Sequence, residues 1–71
     1  MTRTQLRIAV KENTSSCGIT AEERMALGEF IWKAIDGGEI GDFTRARAVI
    51  DYLHRCGKIS LTEAFNLADL L

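Results

Sequence analysis

Ala34-Ile35-Asp36-Gly37-Gly38-Glu39-Ile40 and, nineteen residues later, Leu53-His54-Arg55-Cys56-Gly57-Lys58-Ile59 are two copies of one turn. Each copy follows an amphipathic run and precedes the start of another. The chain therefore reads as helix, glycine stop, one apolar residue that tucks back, then the next helix. This punctuation predicts an all-α fold, a compact antiparallel bundle of about four short helices. The nineteen-residue spacing is one helix plus one turn, too short for a helical repeat such as the tetratricopeptide, whose unit of about 34 residues holds a helix pair.

Working outward from the turns, Thr20-Ala21-Glu22-Glu23 is a capping box that opens helix two over about residues 21–36, with an acidic first turn that suits the helix dipole. Leu27, Phe30, Ile31, Ala34 and Ile35 fall on one stripe of it, the spacing of a core-facing surface. Helix three starts from Asp42 as N-cap, with Phe43, Ala46, Val49, Ile50, Leu53 and Cys56 inward and Arg47, Asp51 and Arg55 outward. Helix four opens at a second capping box, Ser60-Leu61-Thr62-Glu63, and runs to the end of the chain with Leu61, Ala64, Phe65, Ala68 and Leu71 inward. No proline interrupts any of these runs.

The segment from Thr4 to Lys11 fits two patterns. Leu6, Ile8 and Val10 alternate like a strand, whereas Leu6, Ala9 and Val10 share one face of a short helix. Helix is preferred, because a lone strand finds no partner in the rest of the chain and the residues are good helix formers. Residues 13–19 form a polar, turn-rich connector, expected to be the flexible part of the single domain 1–71.

Composition excludes several classes of function. A chain of 71 residues, 46% hydrophobic, is one globular domain with a core worth only about 3 to 5 kcal/mol, which makes association with copies of itself an expectation. A net charge of −1 removes the broad positive field that draws small proteins to nucleic acid or anionic membranes. The absence of a membrane-length apolar run and of a signal-peptide pattern predicts a soluble cytoplasmic protein. Cys17 and Cys56 read as free thiols.

Catalytic and metal-binding chemistry finds little equipment. His54 is the single histidine, and no serine or cysteine is paired with a base in a recognisable spacing, so no enzyme activity and no cofactor are expected. His54 and Cys56 would point about 160° apart on a helix, the wrong disposition for a shared zinc ion. An EF-hand aligned on Gly57 would put Tyr52, His54 and Cys56 at ligand positions, which excludes calcium. Helices three and four have the outline of a helix-turn-helix, but Thr62, Glu63, Asn66 and Asp69 would face the DNA and none of them neutralises phosphate. Basic charge lies elsewhere, at Arg3, Arg7 and Lys11 in the first segment and at Arg45, Arg47 and Arg55 in the third helix.

What remains is a surface. On helix two, Met25 and Trp32 lie close in azimuth and more than about 100° from the centre of the Leu27, Ile31, Ala34 stripe, with Gly28 between them. Tryptophan and methionine are favoured at partner interfaces, and a glycine there admits another backbone. Glu29, Asp36 and Glu39 border this face with acid. Asp36 opposes the helix dipole, and bonding of the turn's amides is the structural reason to expect it there. The expected function is a small binding or regulatory protein that docks Met25, Gly28, Glu29, Trp32, Asp36 and Glu39 onto another protein or onto its own copy as a homo-oligomer. A phage- or plasmid-type inhibitor of a host protein works in this way. The alternatives are a DNA-binding regulator and a self-assembling structural subunit, and Trp32 could equally be the largest member of the core.

Overall fold

The computed structural model describes residues 1–71. It is all helical: α1 (Arg3–Glu12), α2 (Ala21–Gly37), α3 (Ile40–Arg55) and α4 (Leu61–Ala68). α2 packs on α1 along one flank and on α3 along another, and α4 packs on α3. At about 1.5 Å per residue α2 is some 25 Å long, nearly the full 29 Å of the longest dimension. It is the beam to which α1 and α3 attach.

The ambiguous first segment is helical, and its side chains show why. Leu6 and Val10, one turn apart, are buried, while Ile8, which a strand would align with them, is exposed. A capping signal at the head of this helix is an addition to the sequence reading. Thr2 accepts from the Gln5 amide at 3.1 Å and the Gln5 side chain accepts from the Thr2 amide at 2.8 Å, the same reciprocal arrangement that opens α2 at Thr20 and Glu23 and α4 at Ser60 and Glu63. In α2 the Thr20 amide, bonded to Glu23, holds that carboxyl below its ordinary range, with Lys58 at 3.6 Å adding to the effect.

Both glycine stops are present, but they are not copies. Gly38 and Gly57 have φ of 68° and 73°, left-handed conformations that L side chains resist. α2 ends with one bond, Gly38 N–H to the Ala34 carbonyl at 2.9 Å. α3 ends with the paired bonds of a Schellman motif, Lys58 N–H to Leu53 O and Gly57 N–H to His54 O. Ile59 then tucks back into the core, whereas Ile40 is 84% exposed. Ile40 is already the first residue of α3, so the helix begins before Asp42: Glu39 is at the N-cap position without a side-chain cap bond, and Asp42 pairs with Arg45 at 3.2 Å instead.

Ten apolar residues form the core, led by Leu27, Ile31 and Ala34 of α2 and Ala46, Ile50 and Leu53 of α3, as the stripes of those helices predict. Phe30 and Cys56, expected inward, are exposed. α4 differs most. It is rotated so that Glu63 and Leu67 face inward while Leu61 and Phe65 are exposed, and its helix ends at Ala68. The rotation has a polar cause. Glu63 accepts from the Ser60 amide at its own helix start and also from the Ser15 amide, the Ser16 amide and the Ser16 hydroxyl of the connector. Burial alone would raise this carboxyl, but the Ser16 hydroxyl and the three amides outweigh it and hold Glu63 below the ordinary range.

The same bonds tie down the first part of the connector. Asn13 and Thr14 donate their side chains to the last carbonyls of α1, at Ala9 and Val10. Thr14 is fully buried and accepts from Arg24 Nε at 2.7 Å, and Asn13 accepts from Asn66 at 3.0 Å. No buried side-chain polar atom is left without a partner.

Candidate docking groove between α1 and α2

α1 lies against α2 through Leu6 and Val10, and beside this seam runs a groove of about 270 Å³ lined by Arg3, Leu6, Arg7, Val10, Lys11, Arg24, Met25, Gly28, Glu29 and Trp32. The floor is apolar because α1 and α2 each turn one side of their apolar residues toward the seam. The rims are charged because Arg3, Arg7 and Lys11 recur every four residues along α1 and so share one face. Four of the six residues expected to form a docking surface are brought together here: Met25, Gly28, Glu29 and Trp32.

Their states differ. Met25 is 72% exposed, a large apolar side chain with little cover. Gly28 faces open space, since a side-chain carbon added there would meet nothing within 4 Å. No contact in this molecule therefore requires a glycine at that position. Trp32 is half-buried against the core and is covered from the α1 side by the Arg3 guanidinium, 5.3 Å from the ring centroid. Arg3 also bonds Glu29, so this end of the groove is roofed by an ion pair.

The acidic border is corrected by the structure. Glu29 is matched by Arg3, and the rest of the rim, Arg7, Lys11 and Arg24, is cationic. Asp36 makes no side-chain hydrogen bond or ion pair; it lies with Phe30, Lys33 and Asp42 in a separate, more open depression on the far side of Trp32. Glu39 is exposed and lines neither depression. The residues that the sequence reading left out of the site, Leu6, Val10, Arg24 and the α1 cations, were visible as residues. Missing was the seam that brings α1 beside Met25.

No protein-family model, no curated protein and no solved structure matches this chain.

The other candidates are placed apart. Cys17 and Cys56 are free and exposed, and no three His, Cys, Asp or Glu side chains converge on a point where a metal ion could be held. The exposed face of α4 carries Leu61, Thr62, Phe65, Asn66 and Asp69 and no cation; Glu63, expected on that face, points into the fold. No helix is long and apolar enough to cross a membrane.

Proposed function

We propose that this protein is a non-enzymatic binding module that acts by docking the α1–α2 groove onto another protein, regulating that partner by occupancy. The observation that carries the reading is the combination of Met25, exposed and adaptable, with Gly28, a mid-helix glycine that no internal contact requires. A glycine inside a helix costs about 1 kcal/mol relative to alanine, and here it leaves a gap in a groove that is otherwise apolar-floored and already shaped. Methionine beside such a gap is the side chain best able to repack around a visitor.

Gly28→Leu supplies the test. The first side-chain carbon added there meets nothing within 4 Å, so the variant is expected to match the wild type in helical circular dichroism while its side chain occupies the docking site. Immobilised wild type and Gly28→Leu are compared for the proteins they retain from native lysate. A partner held by the wild type and lost by the variant is the expected result; identical retention by both sinks the reading.

A further inference from the structure

We propose that the occupant of this groove is an acidic amphipathic helix, seated with an apolar side chain over Gly28 and with carboxylates against Arg7 and Lys11. The proposal rests on the docking reading above and adds the chemistry of the partner.

Charge segregation carries it. The chain holds 9 Lys and Arg against 10 Asp and Glu, yet four of those cations and only one of those carboxylates line the groove. That carboxylate, Glu29, is taken by Arg3. Arg24 is fixed on the rim by Thr14, through a hydroxyl and a carbonyl that leave its charge unbalanced. Arg7 and Lys11 are exposed and belong to none of the ion pairs in the molecule. As residues i and i+4 of α1 they stand about 6 Å apart along the helix axis, the spacing at which carboxylates recur on one face of a second helix. Like charges at this spacing destabilise a helix by itself, and an anionic occupant relieves that repulsion.

The groove is also directional. The Arg3–Glu29 pair covers it at Trp32, whereas Met25 is exposed and Arg7 and Lys11 carry no ion pair. An apolar anchor enters beside Met25, in the mode of helix-in-groove recognition, where residues at i, i+3, i+4 and i+7 supply the anchors. A nucleic acid is disfavoured, because the one indole of the chain, the natural platform for a base, already carries Arg3 on its ring.

Trp32 is the single tryptophan, so its fluorescence in the purified full chain reports directly on the groove. The titrants are a helical peptide with leucines at i, i+3, i+4 and i+7 flanked by glutamates, the same peptide with lysines for glutamates, and a single-stranded oligonucleotide. The expected result is saturable binding of the glutamate peptide, at least about tenfold tighter than the lysine peptide. Arg7→Glu combined with Lys11→Glu should reverse that preference, and Arg7→Gln combined with Lys11→Gln, gentler on α1, should abolish it. Gly28→Leu should bind neither peptide. Equal binding of the two peptides overturns the charge assignment and leaves docking standing. Binding of neither overturns both. Tighter binding of the oligonucleotide overturns the proposal in favour of nucleic acid. A Trp32 signal that changes with the protein's own concentration overturns it in favour of a second copy.

Discussion

Gly28 lies inside α2 and Gly57 just past the end of α3, and alanine should act on them in opposite directions. Gly28 has helical backbone and free space, so Gly28→Ala gains helix propensity and is expected to raise stability by roughly 0.5 to 1 kcal/mol. Gly57 has φ of 73°, and Gly57→Ala is expected to lower stability by about 1 to 2 kcal/mol because a side-chain carbon crowds the following carbonyl in that conformation. Denaturant midpoints of the two variants beside the wild type check both signs. A stabilising Gly28→Ala that also weakens partner binding would mark Gly28 as a residue kept for contact with something outside the chain.

At the scale of elements, the decisive device is the carboxylate of Glu63, which holds the start of α4 and the connector together through residues 47 and 48 positions away. Glu63→Ala leaves those amides without their charged acceptor and is expected to cost roughly 2 to 3 kcal/mol, with Glu63→Gln costing less. Its folded pKa lies below the usual 4.5, so the stabilisation is complete above that pH and is lost as pH falls through the folded value. Urea midpoints between neutral and acid pH should fall more steeply for the wild type than for Glu63→Gln. The helices α2 and α3 were legible in their stripes and glycine stops, and α2 in its capping box as well, because each of those signals is local, whereas the N-cap expected at Asp42 was misplaced. The start of α4 was legible in its Ser60–Glu63 capping box, but its inner face was not, because its rotation is decided by serines of the distant connector. Its pattern of Leu61, Ala64, Phe65 and Ala68 competes with Leu67 and Glu63 for the inner face, and tertiary hydrogen bonds choose between them. In the same way Met25, Gly28 and Trp32 could be read as one surface from α2 by itself, whereas the sign of the charge around them came from α1, which sequence spacing cannot dock.

Taken as a whole molecule, the chain keeps its ion pairs at the surface, and they contribute little to stability. Glu29→Gln breaks the Arg3 pair, whose side chains are 43% and 66% exposed, and should change the unfolding free energy by less than about 1 kcal/mol. Its effect should appear in the Trp32 emission, because Arg3 is then free to leave the ring. Cys17 and Cys56 are both exposed, so a thiol reagent should modify both in the native protein at rates that denaturant does little to raise. The Glu63 bonds have one more consequence. α4 has only 8 helical residues, fewer than an isolated helix needs to persist in water, and once its carboxylate is protonated it is retained by buried Leu67, the partly buried Ala64, Leu70 and Leu71, and the Asn66–Asn13 bond. Amide hydrogen exchange at a pH low enough to protonate Glu63 should therefore find the segment from Ile59 to Ala68 opening as a cooperative unit of its own, ahead of the α2–α3 hairpin.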